Sequence, residues 1–319
     1  MQLAVFTPLL SGLTIEQTLA KLLALNITTV ELGTGNYPGD AHCPLTLLDD
    51  PNALAEFQLT IAQAEASICA LSCHGNALHP NPARAAAARE VARKTILLAE
   101  KLKVPTVVDF SGCPGDSPNA THPNWVTCAW PPDYQDILAW QWDHAVAPYW
   151  REHAQFAADH GVRIAIEMHP GFVVYSPETM LRLRDITGPT VGANLDPSHL
   201  FWQNIDPIAA IRVLGDAIHH VHAKDTQLYP ANLPRTGVLD TQPYTAERTR
   251  GWLFRTVGYG HDAAWWKEFL STLRLCNYNG PISIEHEDSL LSAEEGLTKA
   301  ALFLNEILLR QPPGTAWWV

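Results

Sequence analysis

Val162-Arg163-Ile164-Ala165-Ile166-Glu167-Met168, Pro177-Glu178-Thr179-Met180-Leu181-Arg182-Leu183 and Thr190-Val191-Gly192-Ala193-Asn194-Leu195-Asp196 follow one another as a short β-branched run, a helix-like stretch and a second such run. The two runs are too apolar to have one face in water, so they read as parallel strands buried on both sides and joined by a helical crossover. The same alternation extends in both directions. Upstream lie Leu3–Phe6, Thr28–Leu32, Ile68–His74 and Val104–Phe110, and downstream lie Ala217–His222 and Pro281–Glu285. Helical stretches separate them: Ile15–Leu25 behind Thr14 as N-cap, Ala-rich Arg84–Lys103, Asp143–Asp159, Ala263–Leu275 and Ala293–Leu309. Eight strands each followed by a helix is the count that closes an α/β (β/α)₈ TIM barrel. A doubly wound sheet would carry a Gly-rich phosphate loop after its first strand, and Thr7-Pro8-Leu9-Leu10 is not one.

The length of 319 residues suits one such barrel, expected over residues 1–310, with a tail at 311–319. Two connections exceed a simple βα loop: about 111–134, rich in Pro, Gly and Trp, and about 226–260. Both follow strands, so both are expected over the C-terminal mouth, where barrel enzymes keep their active sites.

Composition excludes several classes of function. Lys+Arg 21 against Asp+Glu 33 gives a net charge of −12, with no basic run to offset it, so neither nucleic acid nor an anionic membrane is an expected partner. With 47% hydrophobic residues the chain is not disordered. No 18-residue apolar run and no basic leader are present, and six cysteines without a CxxC pair suit a reducing compartment, so a cytoplasmic location is expected. Eleven Trp stand against three Met. Several of the tryptophans fall on and after the first long connection, and Trp317-Trp318 in the tail is expected to dock on the body or to carry a homo-oligomer contact.

Strand phase carries the functional argument, since alternate residues face the barrel interior. If Ile164 and Ile166 pack against helices, Glu167 and then His169 point inward; by the same rule Asn194 and Asp196, His220 and His222, and Ser283 and Glu285 point inward. The fifth to eighth strands therefore each end their inward face with a metal-capable side chain: Glu167, Asp196, His222 and Glu285. Three carboxylates at one level repel each other without a cation. An oxygen-rich set with one imidazole favours Mn²⁺, with Mg²⁺, Co²⁺ or Zn²⁺ as alternatives.

The strings Ile166-Glu167-Met168-His169-Pro170, Asn194-Leu195-Asp196-Pro197-Ser198-His199, His220-Val221-His222-Ala223-Lys224-Asp225 and Ile284-Glu285-His286-Glu287-Asp288 resemble the xylose isomerase-like sugar phosphate isomerase/epimerase superfamily, which includes ketose 3-epimerases and inosose dehydratases. The resemblance is dense from Gly161 to Leu304. Before that it thins to Val30-Glu31-Leu32-Gly33 and Ser72-Cys73-His74-Gly75-Asn76, which fit the second and third strands. It implies Glu167, Asp196, His222 and Glu285 as metal ligands and Glu167 and Glu285 as the catalytic acid/base pair. It also departs from two branches of the superfamily. Asp225-Thr226-Gln227 lacks the Asp-x-His pair of the apurinic-site endonucleases, and Met168-His169 replaces the lysine that xylose isomerases proper carry beside the fifth-strand glutamate.

The function expected is a divalent-metal-dependent sugar or polyol isomerase/epimerase, moving a proton through a metal-stabilised enediolate. A metal-dependent lyase or dehydratase on an inosose, keto-sugar or keto-glycoside is the alternative within enzymes, and a non-catalytic metal- or sugar-binding barrel the alternative outside them. Candidate substrate-binding residues are His74, His169, His199, Lys224, Asp225 and Arg255. For His74 a hydrogen-bonded structural role is equally open. Lys224 and Asp225 either bind substrate or pair with each other and the rim. Arg255 holds a hydroxyl, carboxylate or phosphate, or anchors its loop.

Overall fold

The computed structural model describes residues 1–319. Eight parallel strands close a barrel: β1 (Gln2–Phe6), β2 (Thr29–Gly33), β3 (Ser67–Ser72), β4 (Thr106–Phe110), β5 (Arg163–Glu167), β6 (Val191–Leu195), β7 (Ile218–Ala223) and β10 (Pro281–Ile284), with β10 pairing back onto β1. This is the (β/α)₈ barrel that the alternation predicts. Two more strands, β8 (Asp225–Leu228) and β9 (Trp252–Arg255), form an antiparallel hairpin outside the barrel.

The outward faces of the strands carry the stability. Val30, Leu32, Leu71, Val107, Ile164, Ile166, Val191, Leu195, Val221, Ile282 and Ile284 belong to one apolar cluster of 61 buried residues between the barrel and its helices. The barrel interior is filled differently. Its own apolar cluster is three small residues, Ala70, Val108 and Ala165, and seven further inward positions hold buried Glu31, Ser72, Glu167, Asn194, His220, His222 and Ser283. Register sets these side by side, with Phe110 opposite Glu167, Glu167 opposite Asn194, Asn194 opposite His220, and His222 opposite Ser283.

The helices differ from expectation mainly by addition. Pro51–Gln63 and Pro207–Leu214 are helices that apolar periodicity did not mark; each starts behind an aspartate, Asp50 or Asp206, whose carboxylate accepts first-turn N–H groups, with proline at the first helical position. The helix expected over Asp143–Asp159 is observed as Asp133–Trp140, a π turn at Gln141–Val146 and Ala147–Asp159. The π turn aims Gln141 at the first long connection, where its amide nitrogen donates to the carbonyls of Asn124 at 2.7 Å and Gly115 at 3.0 Å. No helix is long and apolar enough to cross a membrane. Residues 311–319 are exposed, and Trp317 and Trp318 pack edge to face on each other instead of docking on the body.

The second long connection is organised around Asp225. Fully buried, its carboxylate accepts the N–H groups of Gly258 (3.1 Å), Gly260 (3.1 Å) and His261 (2.9 Å), the Trp266 indole (3.2 Å) and the His261 ring (2.7 Å). Gly260 is required at this approach, because a Cβ would collide with the Asp225 carboxylate and the Thr226 carbonyl. Asp225→Ala leaves the buried Trp266 indole and the half-buried N–H groups of Gly258, Gly260 and His261 without this acceptor and is expected to cost about 3 kcal/mol, read as a lowered urea midpoint, with new proteolysis between residues 226 and 260. An unchanged midpoint would contradict the anchoring role.

Candidate metal and active centre

At the C-terminal end of the barrel, Glu167, Asp196, His222 and Glu285 each offer one ligand atom, and these atoms all lie within 4.8 Å of one another. Each arrives by strand phase. Glu167 ends β5, Asp196 follows β6, His222 sits near the end of β7 and Glu285 follows β10. Asp196 is also the N-cap of the short helix Pro197–Phe201. One of its oxygens accepts the Ser198 N–H at 2.9 Å, and the other, Oδ2, is buried without a hydrogen-bond donor in good geometry.

Glu167 is held by three donors: the His199 ring (3.0 Å), the His74 ring (3.1 Å) and the Asn194 amide (3.1 Å). His222 Nδ1 lies 3.0 Å from Glu285 Oε2 and 3.1 Å from Glu167 Oε2, so this nitrogen joins the two glutamates. Lys224 is buried with its ammonium 2.9 Å from Glu285, 3.0 Å from Glu287 and 3.1 Å from Asp196; the pairing with Asp225 open from the sequence does not form. His169 packs its ring against that of His199, centroids 4.0 Å apart and planes tilted by 52°, and lines the same pocket as Glu167 and Glu285.

The charges are set by this crowding. Burial alone would push the Glu167 carboxyl up, but the bonds from His199, His222 and His74 outweigh it and hold it well below the usual carboxylate range. For Glu285 burial is likewise overcome, chiefly by the Lys224 ammonium, and the carboxyl falls to about 2. Asp196 goes the other way: burial, together with the charges of Glu167 and Glu285, raises its pKa against the pull of Lys224 and His199. Burial would depress His222, yet Glu31, Glu167 and Glu285 raise it well above the ordinary histidine value. Burial lowers both His169 and His199, leaving them neutral donors and acceptors.

These residues fit a divalent cation. Glu167, Asp196, Glu285 and Glu31 carry four negative charges against the Lys224 ammonium and one proton on His222, and Asp196 Oδ2, beside that ammonium, has no hydrogen bond in good geometry.

Glu31 completes the centre from below and escaped the sequence reading of the site. Its carboxylate accepts from His220 at 2.8 Å, from His222 Nε2 at 3.0 Å and from the Ser72 hydroxyl. An ionised carboxylate only accepts, so Glu31 holds a proton on His222 Nε2, while the Nδ1 proton shared with Glu167 and Glu285 is the one a cation would replace. The signal was present, because outward Val30 and Leu32 put Glu31 inside by the rule applied to the later strands.

Two expected site residues are not brought to the centre. Asp225 is spent on its loop donors. Arg255 pairs with Asp288 at 3.1 Å and donates to Gln227 at 2.8 Å, so it anchors the hairpin and lines neither pocket at the mouth. Both project from β8–β9, an added element whose side chains the barrel phase rule does not govern.

A family model described as the xylose isomerase-like TIM barrel matches residues 19–307, and the chain belongs to that family. The chain is 39% identical over 312 residues to the uncharacterised protein YfiH of Bacillus subtilis (strain 168), covering 97% of this chain and 99% of YfiH. Among solved structures, the IolI protein with a bound zinc atom superposes with a TM-score of 0.68 at 17% identity, covering 97% of this chain and 98% of its own. A D-tagatose 3-epimerase-like protein superposes with a TM-score of 0.63 at 20% identity, covering 96% of this chain and 98% of its own. At these identities the likeness to both solved structures is one of fold.

Cation binding at Nδ1 displaces the proton that the surrounding carboxylates favour on His222. Titration with Mn²⁺ near neutral pH is therefore expected to release about one proton, with affinity rising as pH rises. Calorimetry in two buffers of different ionisation enthalpy measures this, and Glu31→Gln is expected to weaken the affinity about 10- to 100-fold.

Proposed function

We propose that the protein is a divalent-metal-dependent isomerase or epimerase of a sugar or polyol. The observation that carries the reading is the pair of ionised glutamates, Glu167 and Glu285, joined through His222 Nδ1 in the wall of a pocket of about 310 Å³. Glu167, Asp196, His222 and Glu285 would hold the cation, which when bound would supply Lewis-acid polarisation of substrate oxygens.

The chain's own groups account for the rest. Glu285 lines the pocket and is kept ionised by Lys224, so it would be the group to accept a proton from a carbon next to a carbonyl. Glu167 stands across His222 from it, with His74 and His199 donating to its two oxygens. A proton returned to the opposite face of the substrate passes through Glu167. His74 is the adjacent donor: burial would depress its pKa, but Glu167 raises it above the ordinary value. Phe6, Tyr37 and Phe110 line the pocket and limit water around the enediolate that proton removal creates.

What favours proton transfer over simple binding is that both glutamates also line the pocket where a small molecule would sit. The test is proton exchange. Full-length protein loaded with Mn²⁺ in D₂O is expected to exchange a carbon-bound proton of a keto-sugar or inosose, followed by NMR across a panel of both. Glu285→Gln is expected to slow the exchange by about 10²- to 10⁴-fold while retaining the fold. Rapid exchange by the variant would remove the acid/base assignment, and loss of a β-hydroxyl accompanying the exchange would assign the dehydratase reaction instead.

A further inference from the structure

A second chamber opens beside the reaction pocket. It measures about 410 Å³, against about 310 Å³ for the pocket that holds Glu167 and Glu285, and His169 lines both. The two long connections build it together. Trp125 comes from the first, Val238, Tyr244 and Trp252 come from the second, and Trp202 closes it from the segment after β6.

Its wall is aromatic and closely packed. Trp202 and Trp252 stack with ring centroids 4.6 Å apart and 6° between planes, and Tyr244 meets Trp252 edge on at 6.0 Å. Arg250, almost fully buried, lies over Tyr244 at 4.5 Å and over Trp252 at 4.7 Å, with its guanidinium bonded to the carbonyls of Gln242 and Trp252. Trp252 spends its own indole N–H on the Val238 carbonyl at 2.9 Å. The indole N–H groups of Trp125 and Trp202 are buried with no acceptor in the protein. An orphaned buried donor costs free energy until an oxygen reaches it.

Charge narrows the class of ligand. Neither chamber is lined by a lysine or an arginine; the charged side chains on their walls are Glu167, Glu285 and Glu287 in one and Asp240 in the other. In the second chamber, which holds none of the cation's ligands, a wall of that sign repels a phosphate or carboxylate. An aromatic wall for a C–H surface, indole N–H donors without a protein acceptor, and no lysine or arginine fit an uncharged polyhydroxylated ring.

We propose that this chamber is the subsite for the second ring of an unphosphorylated glycoside, whose first ring occupies the reaction pocket. The proposal rests on the reading of the neighbouring centre as the place where a sugar reacts. The two rings meet at His169 and His199, the tilted imidazole pair between the chambers, so the glycosidic bond passes over these imidazoles. Preorganised walls mean that little side-chain freedom is lost when the second ring enters.

The experiment is calorimetric binding to the full-length protein, with and without Mn²⁺, of cellobiose, maltose, glucose and glucose 6-phosphate. At least one disaccharide is expected to bind 10-fold or more tightly than glucose, and glucose 6-phosphate no more tightly than glucose. Trp125→Ala, which removes a wall residue, and Thr241→Trp, which fills the chamber from an exposed loop position, are each expected to abolish the disaccharide advantage while leaving glucose affinity unchanged. Binding of neither disaccharide, equal affinity for glucose and the disaccharides, survival of the advantage in both variants, or tighter binding of the phosphate would each overturn the proposal. Binding is read without turnover. A protein that prefers disaccharides but exchanges no carbon-bound proton keeps the subsite and loses the isomerase reading, and one that exchanges protons without that preference does the reverse.

Discussion

Glu167, Asp196 and Glu285 are gathered at one end of the barrel, where burial and mutual repulsion both oppose their ionisation. That repulsion is the constraint around which the rest of the interior is arranged. Lys224 lies against Asp196 and Glu285, His74 and His199 donate to Glu167, and His222 faces two of the carboxylates with one nitrogen while Glu31 holds the other. The assembly is a polar network in which nearly every partner is an ion or a ring nitrogen, and it remains short of positive charge. A centre built this way is unfavourable for the fold by itself, and the stability that tolerates it comes from the apolar shell outside the strands.

The division between shell and interior explains what could be read from the sequence. Apolar alternation located all eight barrel strands, and the large outward residues fixed the phase, so the side chains at the ends of β5, β6, β7 and β10 could be assigned to one mouth before any coordinates. Phase is a local property, and it reports which way a side chain points. It does not report which distant group meets it. Lys224 shows the difference: its neighbours in sequence suggest a partner in Asp225, while the fold delivers Asp196, Glu285 and Glu287. Glu31 was legible by the same rule of phase, but on β2 it stands far in the chain from the four ligand positions, and nothing local connects it to His222.

The long connection after β7 was less legible for a different reason. Loop composition marks where a strand ends, but the hairpin β8–β9 depends on hydrogen bonds between residues about 30 positions apart, such as Asp225 to Gly258 and Arg255 to Asp288. Those bonds use up two charged residues whose chemistry alone would equally suit a ligand. The aromatic wall behind the hairpin follows from the same contacts: once Asp225 fixes the base, Trp252 and Phe254 turn toward Trp202 and form a small apolar cluster of their own.

The hairpin and its wall are thus joined to the barrel through two buried carboxylates, Asp225 and Asp288, and an apolar cluster separate from the 61-residue shell. In terms of descent, this makes the region an exchangeable unit. Substitutions and changes of length between Tyr229 and Arg250 alter the shape of the mouth without disturbing the strands or the four ligand positions. Relatives that preserve the ligand set are therefore expected to diverge first in what their mouths admit, with the chemistry at the strand ends inherited unchanged.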